Sequence, residues 1–161
     1  MHNVSVTRVI DVPVDEAWSL LDDFGAVYRY HPVVVESPIQ NGISSGLGAE
    51  RVCLFDDGGM IREAITAYEP GKEYTVEITD PGKFPLKTAV ARLSVQPEGD
   101  GRSRVGFDMA FVPKGGPLGW LMAKAVMEPQ FRKILGGVLE GLETHAVTGE
   151  IVTRKKRATA A

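Results

Sequence analysis

The pattern of apolar and polar residues predicts β-strands through the middle of the chain. The clearest alternation lies in two stretches, residues 72–80 and 103–112. Their apolar side chains stand at every second position: Tyr74, Val76, Ile78, Val105, Phe107, Met109 and Phe111. Such alternation is typical of a strand with one face toward a core. Residues 86–96 alternate less cleanly, because Val90 stands at a position that should face solvent.

Glycine and proline divide the chain into segments that suit an antiparallel sheet. The predicted strands cover residues 3–11, 33–40, 49–56, 60–69, 72–80, 86–96 and 103–112. Strand spacing of about 8–12 residues, with turn residues between, indicates an antiparallel meander. On the stretch 60–69, one face would carry Ile61, Glu63, Ile65 and Ala67.

Helical patterns occur at the two ends of this β section. A short helix opens at Pro13 and runs to about Phe24, and a second covers about 25–30 and ends before Pro32. Residues 117–147 predict one long helix, kinked near Pro129. We therefore expect a single domain over residues 1–148 and a basic, flexible tail over 149–161.

The number of strands predicts an internal cavity. Seven strands would span roughly 34 Å, whereas one helix is about 10–12 Å across. Because one face of the sheet is apolar, the sheet must curve around the helix to exclude water. The small residues Ala67, Ala89 and Ala91 on the expected inner face favour an unfilled interior. The alternative is a solid core, in which large side chains from elsewhere fill the space.

Composition and charge exclude several classes of protein. The 161 residues are 43% hydrophobic and 24% charged, as in an average globular domain. A net charge of −3 argues against a nucleic-acid partner. The one cysteine, Cys53, excludes an intrachain disulfide, and we see neither a signal peptide nor a transmembrane stretch, so we expect a cytoplasmic protein. The three histidines lack the spacing of metal ligands, so we expect no metal and no cofactor.

Several short motifs carry a family resemblance. They are Val-Pro-Val-Asp-Glu-Ala-Trp at 12–18, Asp-Phe-Gly at 23–25, Tyr-His-Pro at 30–32, Asp-Gly-Gly-Met-Ile-Arg-Glu at 57–63 and Phe-Val-Pro at 111–113. In this order the chain resembles the SRPBCC superfamily, which includes START domains, birch-pollen-allergen-like proteins and the polyketide cyclase/dehydrase and lipid transport group. The resemblance spans roughly residues 3–147. It implies an α+β helix-grip fold: a seven-stranded curved antiparallel sheet wrapped around a long C-terminal helix, with two short helices after strand 1.

The resemblance also implies a hydrophobic or amphipathic ligand in the cavity, and two titratable residues are candidates to contact its polar end. Glu63 is expected to point inward, where a lone carboxylate must be paired or have a raised pKa. Arg51 would pair with Glu63 if the register allows, and the pair could be purely structural. His31 resembles the family's cavity-mouth histidine, and an imidazole pKa near 6.5 would suit proton transfer. It could equally be a turn histidine bonded to the backbone.

Aromatic and methionine side chains would form the wall of the cavity. The candidate ligand-binding residues are His31, Arg51, Glu63, Tyr74, Phe107, Met109, Phe111, Trp120, Met127 and Phe131. Tyr28 and Tyr30 could also offer hydroxyl groups. Met and aromatic walls make adaptable apolar surfaces. Each of these residues could instead belong to an ordinary core.

Three functions follow as hypotheses. The first is binding or transport of a lipid-like or polyketide-like molecule. The second is a polyketide cyclase or dehydratase with His31 or Glu63 as general acid or base. The third is a dimeric regulator or partner protein that uses the apolar stretch 118–127, which could form a homodimer contact, a lid or a weak membrane contact.

Overall fold

The fold is built on one seven-stranded antiparallel sheet, seen in a computed structural model that describes residues 1–153. The strands are β1 (His2–Ile10), β2 (Val34–Glu36), β3 (Glu50–Phe55), β4 (Met60–Glu69), β5 (Glu73–Asp80), β6 (Leu86–Pro97) and β7 (Ser103–Pro113). Their order across the sheet is β1-β7-β6-β5-β4-β3-β2, so the first strand closes the meander against the last. The sheet curls into a half-barrel around the C-terminal helix, which confirms the predicted helix-grip fold.

Two short helices follow β1, as predicted. The first is α1 (Val14–Asp22), whose Asp15 and Glu16 lie in the first turn, where acidic side chains favour the helix dipole. The second is a 3₁₀ helix (Phe24–Arg29). These helices cover one end of the curled sheet and bury Ala17, Leu21 and Phe24 against it.

The predicted long helix is continuous but irregular. It consists of α2 (Gly116–Met122), a π-helical turn (Ala123–Met127) and α3 (Glu128–Thr148). Pro129 lies in the first turn of α3, so the hydrogen-bond pattern changes in the turn before the proline. The missing N–H of a proline is tolerated there, because the wider π turn precedes it.

The core consists of two clusters that share their boundary residues. The larger cluster lies under α1 and includes Tyr74 and Leu139, and the smaller includes Phe111 and Leu135. Partly buried side chains pack against both clusters: Val6, Ile78, Phe84 and Phe107. The two clusters therefore meet at these four side chains.

One predicted inner-face residue is on the wrong side of the sheet. The pairing of β4 with β5 shifts by one residue between Ile65 and Ala67. A bulge reverses the facing of every residue beyond it, so Ala67 is exposed and Tyr68 is partly buried. The Tyr68 hydroxyl donates to Asp22 Oδ1 at 2.7 Å. Ala89 and Ala91 face inward as predicted, and Val90 between them is 40% exposed.

The C-terminal end of the described chain folds back on the domain. Gly149 ends α3 with a positive φ of 74°, which glycine adopts without strain. The Thr153 hydroxyl then lies within hydrogen-bond distance of the carbonyl oxygens of His31, at 2.6 Å, and Val34, at 3.1 Å. The packed chain thus extends at least to Thr153, beyond the boundary expected at residue 149. The rest of the predicted basic tail, residues 154–161, lies outside the described residues.

No helix within residues 1–153 combines the length and the apolar character needed to cross a bilayer.

Candidate functional site

A cavity of about 280 Å³ lies between α3 and the concave face of the sheet. Its walls are mostly apolar: Val33, Phe55, Ile61, Ile78, Phe84, Leu86, Ala91, Phe107, Met109, Phe131, Ile134 and Leu135. Ala91 contributes to this volume because its short side chain leaves space that a larger residue would fill. The cavity that the strand count predicts is therefore present, with a volume just below the range typical of ligand sites.

A smaller inner pocket of about 50 Å³ adjoins the cavity. The two spaces share five lining residues: His31, Phe55, Ile61, Glu63 and Phe107. The inner pocket also touches Tyr30, Arg51, Cys53 and Tyr74. The combined space thus has an apolar body and a polar inner end.

Arg51 and Glu63 form a buried ion pair at this inner end. They lie directly opposite each other on β3 and β4, and Arg51 Nε donates to Glu63 Oε2 at 2.6 Å. Their side chains are only 7% and 11% exposed. Arg51 Nη1 donates to the Phe24 carbonyl at 2.8 Å, and the guanidinium lies 3.8 Å from the centre of the Phe24 ring. Burial is the largest single effect and disfavours the charge of Arg51, but Glu63 together with Cys53, Tyr74 and Tyr30 outweighs it, so the pKa of the guanidinium is raised.

Two further groups beside this pair are held in their neutral forms. Cys53 Sγ lies 3.4 Å from Glu63 Oε2, and burial together with the Glu63 charge raises the pKa of the thiol. The Tyr74 hydroxyl donates to the Leu21 carbonyl at 3.1 Å. Burial raises the pKa of Tyr74 to about 12. Tyr74 lines the inner pocket, but its hydroxyl hydrogen is already used within the fold.

His31 lies where the cavity and the inner pocket meet. The Val33 backbone N–H donates to His31 Nδ1 at 3.2 Å, so Nδ1 is the unprotonated nitrogen of the ring. Burial, and secondarily the charge of Arg51, lowers the pKa of His31 to about 3. The imidazole is therefore neutral near pH 7, with its hydrogen on Nε2. That hydrogen has no acceptor among the described residues.

Two other polar atoms at the inner end lack partners within residues 1–153. The Tyr30 hydroxyl is buried and makes no hydrogen bond there. Burial raises the pKa of Tyr30 well above its ordinary value. Glu63 Oε2 accepts from Arg51, while no described group donates to Oε1. An unsatisfied buried hydroxyl is costly, so the inner pocket is suited to a polar guest.

The structure brings together most, but not all, of the sequence-predicted site. His31, Glu63, Phe107, Met109 and Phe131 line the cavity, and Arg51 and Tyr74 line the inner pocket. Three predicted wall residues lie elsewhere. Phe111 is buried in the smaller core cluster, Met127 packs against that cluster, and Trp120 is 50% exposed beside the His2 ring.

Sequence reasoning did not single out several wall residues. Phe84 lies in the loop before β6, Phe55 ends β3 and Ile134 lies on α3. The Phe84 ring meets the Phe55 ring at 5.7 Å and the Phe131 ring at 6.5 Å. The sequence did contain a signal for Phe84, since it is an aromatic residue in a loop between Pro81 and Pro85. Large aromatic side chains are usually at least partly buried, so this one could have been predicted to face the interior.

The mouth of the cavity is acidic. Asp56 and Asp57, both exposed, contribute to its lining at the β3–β4 turn, together with the exposed Gln130 of α3. Among the described residues that line the cavity there is no lysine or arginine. Within residues 1–153, no group of three or more His, Cys, Asp or Glu side chains is placed to hold a metal ion.

An exposed apolar face lies on the helix that leads into α3. It consists of Leu118, Trp120, Leu121, Met122 and Val126, which we call the 118–126 face. None of the seven residues of α2 is buried. This face belongs to the stretch 118–127 that the sequence marked as a contact or a lid.

Comparisons with known proteins agree with this architecture. A family model described as "Polyketide cyclase / dehydrase and lipid transport" matches residues 1–147. The solved structure of XoxI from Bacillus cereus matches with a TM-score of 0.77 and 19% identity, covering 92% of this chain and 97% of that one. A solution structure of a protein from Thermobifida fusca matches with a TM-score of 0.72 and 23% identity, over 91% and 93%.

A plant enzyme has the same fold. The truncated norcoclaurine synthase from Thalictrum flavum matches with a TM-score of 0.70 and 11% identity, over 91% of this chain and 94% of that one. At these identities the likeness concerns the fold alone. A search of curated proteins gives no significant match.

Proposed function

The chain belongs to the polyketide cyclase/dehydrase and lipid transport family, and we propose that it binds a hydrophobic or amphipathic small molecule in the cavity between α3 and the sheet. One observation carries the proposal: a cavity of about 280 Å³ with apolar walls ends at a pocket that holds unpartnered polar atoms. Apolar walls provide affinity through burial, and a few convergent polar groups orient the guest.

The same features favour holding a molecule over converting it through His31. A general base works best when the pKa of its conjugate acid lies near the working pH. The His31 pKa of about 3 makes this imidazole a weak base near pH 7. Its neutral ring instead offers a hydrogen-bond donor.

Glu63 supports the enzymatic alternative, a cyclase or dehydratase. Its Oε1 atom is free of described donors, and the side chain lines both the cavity and the inner pocket. A Glu63→Gln variant separates the two functions once a molecule that co-purifies with the protein is identified. If the protein is a carrier, incubation with that molecule leaves the molecule chemically unchanged. If the protein is an enzyme, the molecule is converted to a product, and the Glu63→Gln variant loses turnover while its affinity for the molecule changes little.

The proposal is tested by native mass spectrometry and by closing the cavity. We expect co-purified small molecules on the wild-type protein, and binding of the neutral probe 4-butylphenol by calorimetry. Ala91→Phe places a ring in the cavity and should abolish probe binding. Val90→Phe adds the same ring on the opposite face of β6, where Val90 is exposed, and should leave binding unchanged. Equal binding by both variants would contradict the proposal.

The 118–126 face favours a second candidate, a homodimer contact. Exposed apolar residues clustered along one short helical segment are typical of protein interfaces. The Trp120→Glu variant should reduce self-association in sedimentation experiments, because it places a charge among these exposed apolar side chains. A wild-type protein that stays monomeric at high concentration would exclude this candidate.

A further inference from the structure

We propose that the cavity selects an uncharged amphiphile that enters with a hydroxyl group foremost, and that it discriminates against carboxylates. This inference rests on the proposed function and specifies the chemical class of the ligand. It is carried by the charges and the unpartnered polar atoms along the path from the mouth to the inner pocket.

The charges along this path disfavour an anion. Asp56 and Asp57 lie at the mouth, and Glu63 lies at the inner end. The one cation that lines either space within residues 1–153 is Arg51, and its guanidinium already binds Glu63 and the Phe24 carbonyl. A carboxylate ligand would therefore pass two like charges at the mouth and find no free cation at the inner end, because Arg51 is already paired with Glu63. Burying an anion without a free cation leaves the loss of its hydration uncompensated.

An ammonium group is also disfavoured at the inner end. The Arg51–Glu63 pair has no net charge, so it offers little to compensate for burying a second cation. The Arg51 guanidinium would repel an ammonium group placed beside Glu63. A neutral group avoids both costs.

The unpartnered atoms match a hydroxyl group. Glu63 Oε1 can only accept a hydrogen bond, and His31 Nε2–H can only donate one. The Tyr30 hydroxyl can do either and is buried without a partner among the described residues. A ligand hydroxyl donates one hydrogen bond and accepts others, so it can satisfy both kinds of atom. A carboxylate can only accept and an ammonium group can only donate.

The test compares three probes of nearly the same size. They are 4-butylphenol, 4-butylbenzoate and 4-butylbenzylamine, measured by calorimetry on the full-length protein at pH 7 and low salt. We expect 4-butylphenol to bind at least tenfold more tightly than either charged probe. Benzoate binding equal to or tighter than phenol binding would overturn the inference while leaving the proposed function intact. If none of the three probes binds, both this inference and the proposed function are contradicted.

Two variants locate the cause of the selectivity. In Asp56→Asn/Asp57→Asn, the new side chains keep an acceptor oxygen for the Gly59 N–H that Asp57 now binds, and the mouth loses both charges. The ratio of benzoate affinity to phenol affinity should rise at least threefold. An unchanged ratio would refute the role of the mouth.

Tyr30→Phe tests whether the hydroxyl group meets the ligand. A space of about 50 Å³ can also hold a water molecule that satisfies Tyr30. Loss of a direct contact should weaken 4-butylphenol binding about five- to tenfold while 4-butylanisole, which lacks the donor hydrogen, loses less. Equal affinities of wild type and variant for 4-butylphenol would show that the hydroxyl group of the ligand does not reach the inner pocket.

Discussion

His31 makes the stability of the folded protein depend on pH. Its pKa is about 3 in the fold, against about 6.5 for an unperturbed histidine. Between these values the unfolded chain binds a proton that the folded chain does not. The stability that the neutral His31 side chain contributes is therefore fully present above pH 6.5 and is lost progressively as the pH falls toward 3.

A His31→Asn variant isolates this effect. Asparagine can retain an acceptor for the Val33 N–H, but it cannot take up a proton. The wild type should lose about 1–2 kcal/mol more than the variant between pH 6.5 and pH 4.5, a value reduced because His31 is partly exposed. Urea unfolding at a series of pH values measures the difference. Parallel pH profiles for the two proteins would refute the lowered pKa.

Removing one partner of the Arg51–Glu63 pair should lower the free energy of unfolding strongly, whereas replacing both partners by apolar residues should lower it much less. Arg51→Met leaves the Glu63 carboxylate buried without its partner, and we expect a loss of about 3–5 kcal/mol in the free energy of unfolding. The double variant Arg51→Met/Glu63→Leu removes both charges and should recover at least half of that loss. Chemical denaturation at pH 7 provides both values. A double variant as unstable as the single one would show that the ion pair itself stabilises the fold.

The sequence identified the members of this pair but left their pairing open. A shift of one residue in the β3–β4 register would place Arg51 and Glu63 on opposite faces of the sheet. The observed turn pairs Leu54 with Met60, which sets Arg51 opposite Glu63. The sequence also could not predict that the Tyr30 hydroxyl lacks a hydrogen-bond partner, because only the three-dimensional packing shows which polar atoms are left without one.

At the level of elements, two glycines of α3 have opposite roles. A Cβ atom on Gly141 would overlap the backbone carbonyl oxygen of Tyr30, whereas nothing lies within 4 Å of a Cβ on Gly136. Gly141 thus allows α3 to approach the segment that carries Tyr30 and His31.

Alanine substitutions at both positions test this close approach. Gly141→Ala should destabilise the protein by about 1–3 kcal/mol, because backbone must move to relieve the overlap. Gly136→Ala should stabilise it by up to about 1 kcal/mol, because alanine is the better helix former. Thermal and urea unfolding compare the two. Similar effects of both substitutions would contradict the proposed packing.

Element types were predictable, but their irregularities were not. Alternation together with the glycine and proline breaks located six strands within a few residues, yet β2 is confined to Val34–Glu36 instead of 33–40. The bulge that turns Ala67 outward leaves no mark on the alternation of Ile61, Glu63 and Ile65. The π turn at Ala123–Met127 keeps the helical spacing of apolar residues closely enough that the sequence predicts one helix. Such features depend on contacts between elements rather than on the local pattern.

At the level of the whole molecule, the cavity follows from a mismatch between sheet and helix. A curled seven-stranded sheet offers a wider apolar surface than α3 can cover, and residues of both core clusters line the space that remains. The number of strands alone is enough to predict this mismatch. Which side chains face the remaining space depends on helix rotation and loop paths. The prediction therefore included Trp120, Phe111 and Met127, and omitted Phe84 and Ile134.

Phe131 sets the boundary between the cavity and the smaller core cluster. Its ring meets Phe111 edge-to-face at 5.0 Å and also contacts Phe84. The Phe131 ring lines the cavity on one side and packs on the smaller core cluster on the other, so truncating this side chain should enlarge the cavity. Phe131→Ala should lower the free energy of unfolding by about 2–3 kcal/mol, less than a fully buried phenylalanine would.

The same variant should change which guests fit. If Phe131 limits the length of the cavity, the affinity ratio of 4-octylphenol to 4-butylphenol should rise at least threefold in Phe131→Ala. The neighbouring exposed residue supplies a control, since Arg132→Ala should change neither stability nor this ratio appreciably. A destabilised Phe131→Ala protein with an unchanged ratio would mean that Phe131 serves the core alone. A raised ratio would show that the size of the ligand is set where α3 crosses the sheet, by the same packing mismatch that creates the cavity.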